Sequence, residues 1–124
     1  KISEYDYDLI IINPFSTYPN SDFTDMFSSS EVASFKTKSD GVTQRLVFAY
    51  IDIGFANDQY YYWDSDWSTT LPDWLDADLT NSNKYITNYW SSEWETIVYE
   101  LLDEVLSLGY DGIVFGGMDA ILYY

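Results

Sequence analysis

The sequence predicts an α/β fold built around a parallel sheet. Two observations predict it. Four short apolar runs alternate with helical and loop segments, the pattern of strands joined by crossovers. The runs are apolar at successive positions, as strands covered by helices on both faces must be. A chain of 124 residues is long enough for one domain, 1–124, with a core of its own.

The first predicted strand is YDLIII, residues 7–12, a β-branched run ended by Asn13-Pro14. Residues 15–29 are rich in Ser, Thr, Asp and Asn and read mostly as loop. A short amphipathic helix follows over 29–38, with Ser30 as its cap and Ser39-Asp40-Gly41 as its stop. RLVFAYIDIG, 45–54, is the second strand. Residues 55–83 have no clean periodicity and form a long loop, with one helical turn over 73–77 after Pro72. KYITNYW, 84–90, is the third strand. The clearest helix comes next. Ser92 and Glu95 make a capping box, and Trp94, Ile97, Leu101, Val105 and Leu108 recur on one face. Gly109 is a natural residue to end it. YDGIVFGG, 110–117, is the fourth strand. Four parallel strands are half of an eight-stranded barrel. Val114 and the apolar tail, residues 120–124, need a cover that these elements do not supply. Self-association or a missing C-terminal half would provide it.

Charge narrows the function. There are 21 acids against five basic residues, a net charge of −16. Phosphate backbones and anionic membrane surfaces would be repelled, so neither nucleic acid nor membrane is an expected partner. No apolar run approaches the roughly 18 residues that span a bilayer. The chain has no cysteine and no histidine, which removes thiol nucleophiles, imidazole bases and Ser-His-Asp triads. Carboxylates, tyrosines, lysines and hydroxyls remain. No metal or cofactor is expected. Asp64-Ser65-Asp66 offers oxygens at alternate positions but lacks the glycine and final glutamate of an EF-hand loop. With Asp73, Asp76 and Asp78 it reads as a solvated acidic loop.

Three ordered segments carry a family resemblance. YIDIGFANDQYYYW, 50–63, KYITNYWSSEW, 84–94, and GYDGIVFGGMDAILYY, 109–124, resemble successive elements of the endo-α-1,4-polygalactosaminidase-like glycoside hydrolases, glycoside hydrolase family 114 and its extracellular relatives. YDLIIIN and PDWL are similar to further elements in the same order. The resemblance implies a (β/α)8 TIM-barrel type fold, of which this chain would be the N-terminal half. It also implies an extracellular domain that acts on an amino-sugar polysaccharide, a polycation when deacetylated. Several acids of the family pattern are replaced. Asn13, Phe55, Asn57 and Gly116 stand where the family has carboxylates, and Tyr60 where it has an arginine.

Glycoside hydrolysis uses two carboxylates flanking the scissile bond. The candidates left are Asp52, which shares a strand face with Tyr50, and Asp119, which matches a retained family acid. Asp111 starts the fourth strand, away from the catalytic face, and reads as a structural turn residue. Sugar rings present flat C–H faces that aromatic side chains complement. Tyr60, Tyr61, Trp63, Tyr89 and Trp90 are therefore candidate sugar platforms, with Asp58 as a polar neighbour. The replaced acids leave two expectations open: a glycoside-hydrolase-like domain of doubtful catalytic competence, and a non-catalytic structural or self-assembling half-barrel.

Overall fold

A computed structural model describes residues 5–77 and 83–123. Asp78 and Tyr124 lie outside the described residues. Strands β1 (Leu9–Ile12), β2 (Leu46–Asp52) and β6 (Gly112–Gly116) form one parallel sheet in the order β1-β2-β6. Strands β3 (Phe55–Asn57), β4 (Leu75–Ala77) and β5 (Lys84–Thr87) form a second, antiparallel sheet in the order β3-β5-β4. Helix α1 (Ser29–Phe35) and helix α2 (Ser92–Ser107) complete the regular elements among the described residues, with three short 3-10 turns. No described helix is long and apolar enough to cross a membrane.

Four parallel strands were the expectation; three are found. The third predicted strand is cut to 84–87 and pairs antiparallel with β3 and β4. The reason is register. Residues 48–52 of β2 pair directly with 112–116 of β6, so no slot remains between them. The helical turn expected over 73–77 is also replaced: a turn closed by Leu75 N–H on the Pro72 carbonyl (3.0 Å) leads into β4.

Serine runs misplaced both helix caps. Ser28, not Ser30, caps α1, because its hydroxyl accepts from the Glu31 N–H while Glu31 accepts from the Ser28 N–H. The helix ends at Phe35 rather than 38, since Thr37 bridges to Gln44 instead. Ser91, not Ser92, is the cap residue of α2, and no capping box forms there: the Ser91 hydroxyl donates to the Glu93 carboxylate at 2.6 Å. Gly109 ends α2 with φ +89°, as the sequence predicts.

The parallel sheet is covered on one face only. Val47, Ala49 and Ile51 of β2 are buried in a cluster with Phe15, Met26, Val32 of α1, and Leu101 and Val105 of α2. The opposite face carries Leu9, Ile11, Leu46 and Tyr50, between 39% and 49% exposed. In a closed barrel that face would be the packed interior. A three-stranded parallel sheet with that face open is consistent with part of such a barrel. A second cluster packs α2 against the antiparallel sheet. Trp74 stacks on Trp94 (centroids 5.7 Å, 28°), with Ala56 and Leu75. Of the terminal residues, Ile121 and Leu122 are exposed, whereas Ala120 is buried with Phe55 and Ile86.

Asp111 has the structural role expected of it. Its carboxylate accepts from Lys36 Nζ (2.7 Å) and from the Val47 N–H (2.9 Å), tying the start of β6 to β2. Partial burial pushes its pKa up, but these two donors hold it below the ordinary carboxylate value.

Because α2 is the principal cover of the sheet, Leu101→Ala is expected to lower the unfolding free energy by about 2–5 kcal/mol. Urea denaturation checks this. A loss under about 1 kcal/mol would show that α2 contributes little to the core.

Candidate functional site

Strand β2 delivers Tyr50 and Asp52 to its C-terminal end on the open face of the sheet. Asp52 turns the chain there: its Oδ1 accepts from the N–H groups of Gly54 (3.3 Å) and Phe55 (3.1 Å). Room for the carboxylate comes from Gly117, where a β-carbon would lie 1.9 Å from Asp52 Oδ1 and φ is +74°. Room for the Tyr50 ring comes from Gly116, where a β-carbon would lie 1.8 Å from the Tyr50 hydroxyl oxygen. Glycine at position 116 thus admits the tyrosine.

Asp52 lines a cavity of about 110 Å³, together with Tyr50, Asn57, Tyr60, Tyr62 and Lys84. Burial pushes the Asp52 pKa up. The Lys84 charge and the two backbone donors pull it back in part, and the nearby Asp119 adds to the rise. The Lys84 ammonium sits over the Phe55 ring, 3.5 Å from its centroid.

Tyr60 forms one wall. Its ring stacks on Tyr62 (5.6 Å, 25°) and meets Phe15 edge-on (5.3 Å, 83°). Its hydroxyl is 2.6 Å from the Tyr18 hydroxyl and accepts from Asn13 Nδ2 at 3.1 Å. Positions 13 and 60 are those where the resemblance expects an acid and an arginine. Here they hold a neutral hydrogen bond between the same two positions. The Tyr62 hydroxyl accepts from the Asn57 N–H (3.0 Å), and burial drives its pKa far up, so it stays neutral.

Tyr60 also lines a second, wider groove of about 460 Å³, with Asn20, Asp58, Tyr61, Trp63 and Ser65. Three of the predicted platform residues, Tyr60, Tyr61 and Trp63, therefore meet there, with Asp58 beside them. Tyr61 turns largely inward, against Phe23 (4.6 Å) and Phe15. Trp63 rests on Tyr85 (4.5 Å) and Trp67. Tyr89 and Trp90 line neither the cavity nor the groove. They contact each other edge-on (4.8 Å, 87°) and are 42% and 55% exposed. Asp119 opens the 3-10 turn Met118–Tyr123; it is exposed and acts on Asp52 and Tyr50 through its charge. Asp64 caps a 3-10 turn by accepting from the Asp66 N–H (2.9 Å), and no metal-holding group of acids occurs among the described residues.

Lys84 was absent from the sequence-based candidates. A signal for it existed: it is the only basic residue after Arg45. Chemically, the cavity offers one carboxylate, one ammonium and aromatic walls.

The overall fold is glycoside-hydrolase-like. The glycoside hydrolase domain of PelA from Pseudomonas aeruginosa superposes with a TM-score of 0.64 over 94% of this chain and 39% of that one, at 14% identity. A variant of the same domain gives the same figures. At that identity the likeness is one of fold. No protein-family profile matches the chain. An uncharacterised protein of Methanocaldococcus jannaschii is 30% identical over 125 residues, which is 100% of this chain and 34% of that protein. One of Thermotoga maritima is 38% identical over 77 residues, 61% of this chain and 24% of that protein. The chain thus spans about a third or less of the curated relatives it matches.

The raised pKa of Asp52 has a consequence for stability. An acid whose folded pKa lies above its unfolded one stabilises the fold while protonated, and that stability is lost as pH rises through the folded value. Asp52→Asn keeps an acceptor oxygen for the Gly54 and Phe55 donors without the charge. The variant is therefore expected to be more stable than the parent at neutral pH, with the difference closing as pH falls. Urea denaturation across pH reads it; a variant less stable at every pH would contradict the account.

Proposed function

We propose that this chain is a carbohydrate-recognising, glycoside-hydrolase-like half-barrel for an extracellular amino-sugar polysaccharide. The observation that carries the reading is the position of the cavity. It opens at the C-terminal end of the parallel sheet, between aromatic walls, with Asp52 in its lining. That end of a (β/α)8 barrel is where substrates bind. The adjoining groove, with Tyr60, Tyr61 and Trp63 beside Asp58, has the chemistry to follow a glycan chain. The Asp58 carboxylate there, within a chain of net charge −16, suits ammonium groups of deacetylated units.

Hydrolysis is a separate matter. The cavity lining has one carboxylate where the reaction needs two, and Asp119 reaches it only electrostatically. The proposal is that this chain binds and does not cleave by itself. Loss of one acid–base group costs about two to four orders of magnitude. No release of reducing ends from polygalactosamine is expected, and release abolished by Asp119→Asn would contradict this.

Titration calorimetry with amino-sugar oligosaccharides tests the binding. The expected result is weak binding that falls, without vanishing, as salt rises, because stacking is screened less than charge. Tyr60→Ala should weaken it at every salt concentration. Unchanged binding in that variant would move the site elsewhere.

The open sheet face favours a second role in self-assembly. Leu9, Ile11 and Leu46 present an apolar surface that a parallel sheet ordinarily covers. Concentration-dependent association in sedimentation, reduced by Ile11→Lys, is the outcome this role predicts. A monomer at all concentrations would oppose it.

A further inference from the structure

The cavity at the end of β2 in this strongly acidic protein contains a lysine. Each other basic residue with described partners is engaged at the opposite end of the sheet or beside it. Lys36 pairs with Asp111 and Lys38 with Asp8, and Arg45 donates to the Tyr5 and Thr37 carbonyls. Lys84 differs. Its ammonium is held over the Phe55 ring and forms no ion pair with a described carboxylate. It begins β5, opposite Asn57 of β3, and so enters the cavity from the antiparallel sheet while Asp52 enters from the parallel one.

We infer that Lys84 is a specificity-determining residue and that the cavity seats an uncharged sugar unit. This rests on the carbohydrate reading above and refines it. An ammonium on the ligand would stand beside the Lys84 ammonium in a confined, poorly hydrated space, where like charges repel strongly. A carboxylate or sulfate would meet Asp52 directly and Asp119 nearby. A neutral, hydroxylated ring meets neither penalty. Its oxygens accept from Lys84, its hydroxyl protons go to the Asp52 oxygen that the backbone leaves free, and Tyr60 offers its face. The groove outside has Asp58 and no lysine or arginine in its lining, so the charge preference of the groove and that of the cavity differ.

The test compares hexosamine oligosaccharides of equal length, one fully N-acetylated and one fully deacetylated, by titration calorimetry at high salt. The parent chain is measured beside Lys84→Glu, Lys84→Met and Lys38→Glu. The last makes the same change of net charge at the other end of the sheet. Lys84→Glu should shift the acetylated-to-deacetylated affinity ratio toward the deacetylated ligand by about tenfold, the size of one charge-assisted hydrogen bond. Lys84→Met should shift it the same way by less, and serves where the glutamate variant fails to fold. Lys38→Glu should leave the ratio nearly unchanged. An equal shift from Lys38→Glu, or no shift from either Lys84 variant, would overturn this inference while leaving the carbohydrate reading standing. Binding of neither oligosaccharide by the parent chain would overturn both.

Discussion

The end of β2 is the junction on which the rest of the structure depends. The Ile53 carbonyl accepts from the Trp94 indole at 2.7 Å and from the Thr87 hydroxyl at 3.2 Å. The Gly54 carbonyl accepts from the Thr87 N–H at 3.0 Å. These bonds fix α2 and the antiparallel sheet to the last residues of the central parallel strand. Asp52 closes the same turn from the other side by accepting from Gly54 and Phe55. A strand end that must satisfy two sheets and a helix is held rigidly, and a rigid strand end is a good base for a site. The cavity sits on it.

Positions 13, 60 and 116, where the resemblance expects charged groups, have a structural logic here. Buried charge is tolerated only when paired, so losing one member of a pair leaves the other costly. At positions 13 and 60 both members are neutral, and Asn13 donates to Tyr60. At position 116 the absence of a side chain makes space for the Tyr50 ring. The cavity thus has aromatic and amide groups around the one carboxylate in its lining.

Much of this was legible in the sequence, and the exceptions have physical causes. The long helix showed itself because sixteen residues give several turns of apolar period; Trp94, Leu101 and Val105 are buried as that period requires. The placement of Asp52 with Tyr50 followed from the two-residue period of a strand. The antiparallel sheet was hidden because β3 and β4 have three residues each, too few for a period to register. The caps were misplaced because adjacent serines offer equivalent hydroxyls, and only local geometry selects between Ser28 and Ser30. The contact between Asn13 and Tyr60 spans 47 residues and has no signature in either segment. Tyr89 and Trp90 close the predicted strand 84–90, but the strand stops at Thr87, so their rings end elsewhere.

The central claim is that the site lies at the end of β2, between the two sheets. Amide chemical-shift mapping of the isotope-labelled chain during titration with an amino-sugar oligosaccharide tests it most directly. The account predicts perturbations concentrated at Asp52, Phe55, Asn57, Asp58, Tyr60 and Lys84, with Tyr89 and Trp90 little changed. Perturbations centred on Tyr89 and Trp90, with the end of β2 silent, would contradict it.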